Sequence, residues 1–217
     1  MEIVSGQTKK GGDNMKAVYF LAGVSLSVLL GACSTIQGSG DVDQGRQAML
    51  EGKYKLALVS FEDAARADPR YVYGTELRAG VFSYLGRTQY LTGEYSQARA
   101  TLEKALKQHK SDNVARLYLG LTLYKLGDEK AGLTNIQRGM QGISNWLDYI
   151  SNNFRSEFGK DWDAGGTIRG GIKKDLAMIS SGKVNWPQLV ADGEALGIRV
   201  EQEEDFFRQD QTAGLNR

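Results

Sequence analysis

The stretch GEYSQARATLEKA, residues 93–105, has two relatives elsewhere in its own chain. GKYKLALVSFEDA occupies residues 52–64, and GDEKAGLTNIQRG occupies residues 127–139. The leading glycines, Gly52, Gly93 and Gly127, are 41 and 34 residues apart. Each shared position has a physical task. The glycine ends one helix where the backbone turns sharply. The aromatic two residues on, Tyr54 or Tyr95, packs across that turn. Ala57, Ala98 and Gly132 are small, so the two helices of a hairpin approach closely. Phe61, Leu102 and Ile136 fill the core one turn later, and Ala64, Ala105 and Gly139 keep the contact with the following unit tight. Asp68-Pro69 closes the first unit, because proline stops a helix.

A 34-residue period with this pattern resembles the tetratricopeptide repeat. Leu85-Gly86 and Leu119-Gly120 match the Leu-Gly pair of that family's first helix. The resemblance covers residues 41–140, about three units. It is strongest in the first two. Unit three carries Glu129 in place of the aromatic and glycines in place of two alanines, so its second helix is expected to be irregular. The first helix of unit one, about Asp41 to Glu51, has Gly45 at the matching small position but lacks the preceding Leu. The spacing of 41 is the period plus seven, and the extra residues fall near Tyr71–Arg78. They are expected to lengthen the second hairpin or its entry loop. The bland alternative is an unrelated helical bundle with alanine-rich seams.

The resemblance implies an all-α, tetratricopeptide-like solenoid of helical hairpins with a C-terminal helical cap. It also implies a concave groove made by the first helices, where a protein or peptide partner binds. Carrying the family's groove positions over places Arg46, Arg87, Tyr90, Leu117 and Tyr124 there. Arg and Tyr are common interface anchors. For Leu117 and Tyr124 the competing reading is packing between helices.

The N-terminus reads as a processing segment. Ala17 to Leu30 is 14 residues without a charge, against the roughly 20 a membrane-spanning helix needs. Lys16 precedes it and Gly31 and Ala32 follow, which makes residues 1–32 a signal peptide. Leu30-Gly31-Ala32-Cys33 resembles a bacterial lipobox. That resemblance implies cleavage before Cys33 and lipidation of the only cysteine in the chain. Several acyl chains anchor a protein stably. Ser34 in place of an aspartate favours the outer membrane, with the domain facing the periplasm. Lys10-Gly11-Gly12-Asp13 is encodable by a purine-rich, ribosome-binding-like tract, so Met15 is the expected true start and residues 1–14 lie upstream of it. Residues 33–40 form a lipidated tether rich in small and polar residues.

Residues 141–217 form a helical extension. Trp146, Tyr149, Ile150, Phe154, Phe158 and Trp162 recur at helical spacing, Asp163-Ala164-Gly165-Gly166 interrupts them, and Ile168, Ile172, Leu176 and Ile179 mark a second helix. A third begins at Asn185-Trp186-Pro187. In it Gly193 and Gly197 allow a close helix contact, while Glu201 to Asp205 read as a solvated face. A solenoid end needs a cap with a polar outer face. The alternative is that Trp146, Phe158 and Trp162 line a pocket for a small molecule or glycan.

Other chemistry finds little support. Net charge is +1, which supplies no field for nucleic acid. The single cysteine excludes an intramolecular disulfide, and the single histidine, His109, cannot build a multi-histidine metal site. His109 falls at a helix end, where a cation suits the dipole. Gly165 to Lys173 fails the phosphate-loop pattern. The expectation is therefore a non-enzymatic lipoprotein scaffold, with no cofactor beyond the covalent lipid, no metal, a protein partner, and a role such as pilus or envelope assembly.

Overall fold

The computed structural model describes residues 39–74, 77–154 and 159–214. Cys33, the signal segment and Phe158 lie outside the described residues. Among the described residues eight helices follow in order: α1 (39–50), α2 (Tyr54–Ala67), α3 (Val81–Leu91), α4 (Tyr95–Gln108), α5 (Asn113–Lys125), α6 (Glu129–Asn153), α7 (Thr167–Ser180) and α8 (Trp186–Gly214). Between α2 and α3 two short strands, β1 (Val72–Tyr73) and β2 (Ala79–Gly80), pair antiparallel. The expected tether reaches residue 40, yet the described chain is already helical at Ser39.

The fold is an all-α, tetratricopeptide-like helical repeat. The helices pair as α1–α2, α3–α4 and α5–α6, and the turns of all three hairpins fall on the predicted glycines. Gly52, Gly93 and Gly127 have φ of 73°, 86° and 88°, in the left-handed region that glycine adopts without steric penalty. Inside each hairpin one contact recurs. A Cβ on Gly45 would lie 2.7 Å from the Phe61 ring, one on Gly86 2.6 Å from Leu102, and one on Gly120 2.5 Å from the Ile136 nitrogen. The three large residues are fully buried, each worth about 1.5–3 kcal/mol relative to exposure. Tyr95 packs across its turn against Tyr90, with ring centroids 5.6 Å apart.

The second helix of unit three differs from its expectation. α6 is one continuous helix of 25 residues, not an irregular one. The glycines are the reason. A Cβ on Gly139 would sit 2.7 Å from the Leu117 backbone nitrogen, and one on Gly132 3.0 Å from the Gly120 carbonyl oxygen. The backbones of α5 and α6 meet closely enough that alanine would force them apart. Asp128 accepts the Ala131 N–H at 3.0 Å and so caps the helix without an aromatic at Glu129.

The extra residues near Tyr71–Arg78 lengthen the entry loop of the second hairpin, the second of the two expectations, and not a helix. They build the β1–β2 arm, whose Tyr71 carbonyl accepts the N–H of Val81 at the start of α3. At the far end, α6 carries Trp146, Tyr149 and Ile150, whereas Trp162 lies in the turn before α7. Trp162 is buried against Trp146, centroids 4.8 Å apart, and Phe207 at 6.0 Å. Asp163 (φ 48°) caps α7. Its carboxylate accepts the N–H groups of Ile168 at 2.8 Å and Arg169 at 3.0 Å. The Gly165–Lys173 stretch thus opens a helix tied down by an aspartate. His109, at the end of α4, packs its ring where a Cβ on Gly80 would come within 2.9 Å.

Candidate functional site

The expected groove residues stand on the first helices of the units, α1, α3 and α5. Residues Val81 to Tyr90 of α3 are all buried, polar ones included. An open solenoid groove would leave a stripe of such a helix exposed. The stripe is covered because α8 runs along it.

α8 fits by three devices. The first is the absence of side chains. A Cβ on Gly193 would lie 3.2 Å from Leu121 and 3.6 Å from Leu117, and one on Gly197 would enter the Tyr118 ring. The second is aromatic stacking at the N-terminal end of α8. Trp186 stacks on Tyr124 with centroids 4.2 Å apart and an interplanar angle of 11°. The third is charge. Glu201, 3% exposed, accepts from Arg46 Nε, from Arg87 Nη1 at 3.1 Å and from Tyr84 OH at 3.4 Å. Arg87 Nη2 donates to the Gly197 carbonyl at 3.2 Å, and Arg46 Nη1 donates to Tyr73 OH. Asp205 adds a second carboxylate 3.6 Å from Arg46. Tyr90 OH donates to Glu194 at 2.6 Å.

The electrostatics follow from burial opposed by pairing. Burial pulls the Arg46 and Arg87 pKa values down, but Glu201 and the surrounding acids outweigh it and hold both guanidiniums above their ordinary value. Burial, then the Glu201 charge, pushes the Tyr84 phenol well up. Tyr118 is pushed up to about 12, chiefly by burial. Tyr90 is raised by burial and by its bond to Glu194. All three phenols therefore remain protonated hydrogen-bond donors. Rings flank both cations: Arg46 lies 4.1 Å from the Tyr73 centroid, and Arg87 5.3 Å from those of Tyr84 and Tyr118.

The structure thus gathers Arg46, Arg87, Tyr90, Leu117 and Tyr124 on one face, against one helix of the same chain. Glu201 is the residue the sequence reading misplaced. The segment Glu201–Asp205 was expected to be solvated, yet Glu201 and Glu204 are buried. The spacing Gly193, Gly197, Glu201 sets all three on one stripe of α8, and two buried arginines need a carboxylate opposite. Tyr73 comes from the inserted arm, outside the repeat pattern. Of the aromatics named for a ligand pocket, Trp162 is buried and Trp146 half-buried in side-chain packing. Among the described residues no group of three or more His, Cys, Asp or Glu is placed to hold a metal, and no helix is long and apolar enough to cross a membrane.

A family model described as tetratricopeptide repeat matches residues 48–121, from the end of α1 into α5. No curated protein matches the chain. Repeats of this kind suggest a scaffold for protein–protein interaction, a class that is generally non-catalytic.

Proposed function

We propose that this chain is a lipoprotein adaptor of the bacterial envelope, anchored at the outer membrane through Cys33 and presenting its helical repeats to a protein partner in the periplasm. The observation that supports the reading is that the face of the first helices already holds a helix. Arg46, Arg87, Tyr90, Leu117 and Tyr124 meet α8 through glycines, a stacked indole and two carboxylates, Glu194 and Glu201, which is how a groove takes a helical segment. α8 is the resident occupant, and a partner helix competes with it in envelope or pilus assembly.

Two measurements test this. Metabolic labelling with palmitate should mark the wild type and fail on Cys33→Ser; equal labelling of both removes the anchor. Crosslinking of the tagged protein in envelopes should recover a reproducible partner. Trp186→Ala loosens the half-buried end of α8 without touching the buried charges, so recovery should rise in that variant. Absence of any reproducible partner overturns the adaptor reading. Recovery unchanged in Trp186→Ala and in Tyr124→Ala overturns the groove as its site.

A further inference from the structure

α8 shows what the groove demands of a helix laid in it. Trp186, Gly193, Gly197 and Glu201 follow one another at intervals of seven, four and four residues, which sets them on one stripe of a helix with 3.6 residues per turn. Groove residues answer them one by one. Tyr124 stacks on the indole. Leu121 and Leu117 lie 3.2 Å and 3.6 Å from where a Cβ on Gly193 would stand, which restricts that position to a small residue.

The next position is stricter. A Cβ on Gly197 would come within 2.4 Å of the Tyr118 ring and 2.5 Å of its hydroxyl oxygen. Tyr118 has no room to swing aside. It is fully buried, Tyr90 meets it edge-on at 5.5 Å, and the Arg87 guanidinium lies 5.3 Å from its centroid. Only glycine fits against it.

Arg87 then fixes the following turn. Its Nη2 donates to the Gly197 carbonyl at 3.2 Å and its Nη1 to the Glu201 carboxylate at 3.1 Å. One planar fork thus spans a carbonyl and the carboxylate four residues on. Arg46 meets the same carboxylate, so a neutral side chain there leaves two buried guanidiniums without that counter-charge.

We infer that the groove selects its helix by sequence, and that the partner protein's segment is a helix with glycine against Tyr118, glutamate four residues later, a small residue four residues earlier and an aromatic seven before that. Tyr118 selects by size, because a larger residue clashes with it, and Arg87 sets the register. Tyr118 is not among the positions that the family resemblance supplies. The inference rests on the reading that a partner segment competes with α8.

The test is fluorescence anisotropy with a labelled synthetic peptide of residues 184–208, added to the full chain in detergent. Two chain variants loosen the resident helix and leave the groove residues intact: Gly197→Leu, whose side chain meets Tyr118, and Trp186→Ala at the other end of α8. The peptide should bind both saturably, and more tightly than it binds the wild type. Peptides carrying Gly197→Leu or Glu201→Gln should each bind at least about tenfold more weakly, from a clash in one and a lost charge-assisted hydrogen bond in the other. Equal binding of the three peptides overturns the inference. So does the absence of saturable binding of the first peptide to either variant. A wild-type dimer in sedimentation would make the occupant the α8 of a second copy, which overturns it as well. The adaptor reading fails separately. Peptides that bind alike, with a partner still recovered more strongly from Trp186→Ala, sink the pattern alone. Peptides that discriminate, with no partner recovered, sink the adaptor alone.

Discussion

Arg87 and Glu201, 114 positions apart in the chain, meet at 3.1 Å in a site where both are at least 97% buried. Arg46 reaches the same carboxylate from the other side. One acid on the last helix therefore neutralises cations from the first helices of two different units. Its removal strands both.

Glu201→Gln should accordingly destabilise the fold by about 3–5 kcal/mol, the usual cost of leaving a buried charge without its partner. Asp205→Asn, on a group 20% exposed and 3.6 Å from Arg46, should cost less than about 1 kcal/mol. Denaturant unfolding compares the two. Equal midpoints for both variants would show that Glu201 does not hold α8.

Two glycine substitutions separate close packing from helix propensity. Gly197→Ala drives a methyl into the Tyr118 ring and should destabilise by about 1–3 kcal/mol. Gly170→Ala, on α7 with nothing within 4 Å, should stabilise by about 0.5–1 kcal/mol, because alanine loses less backbone entropy in a helix. Thermal unfolding shifts of opposite sign are expected.

Tyr90→Phe deletes the hydroxyl that donates to Glu194 at 2.6 Å. A bond to a charged acceptor contributes about 1.5–3 kcal/mol, and the phenyl ring keeps its contacts with Tyr95 and Tyr118. The melting temperature should fall, and Glu194→Gln should recover little when combined with it. Additive losses in the double variant would contradict a direct bond.

Stability should also fall with rising pH at the α7–α8 contact. Burial, and then the Asp192 charge, raises the Asp175 carboxyl to about 6. A group with a raised folded-state value contributes its full share below its ordinary value and loses it as pH climbs through about 6. Asp112 and Glu203, raised by burial, act in the same sense. Asp192→Asn should flatten part of the decline in melting temperature between pH 5 and about 7. A slope identical to the wild type would remove Asp192 as a cause.

Much of the repeat unit was legible because its determinants are local. Gly52, Gly93 and Gly127 mark turns whatever surrounds them, since a positive φ selects glycine on steric grounds alone. The pairs Gly45–Phe61, Gly86–Leu102 and Gly120–Ile136 are each sixteen residues apart, one hairpin's length. Unit three misled for a related reason. Gly132 and Gly139 read as weak helix formers, but propensity yields where a neighbouring backbone needs the space.

Position along the chain does not say which helix ends up beside which. Glu201 sits in a run of acids that resembles a solvated face, and nothing within that run distinguishes it from Glu203. Only the arrival of Arg46 and Arg87 from residues more than 100 positions away makes burial of its charge tolerable. The sequence by itself determined the hairpins, their turns and the small residues at their crossings, because these depend on contacts within about one repeat length. The tertiary structure alone decided that the face of the first helices holds the chain's own last helix, because a buried charge takes its energy from its partners and those partners are distant in sequence.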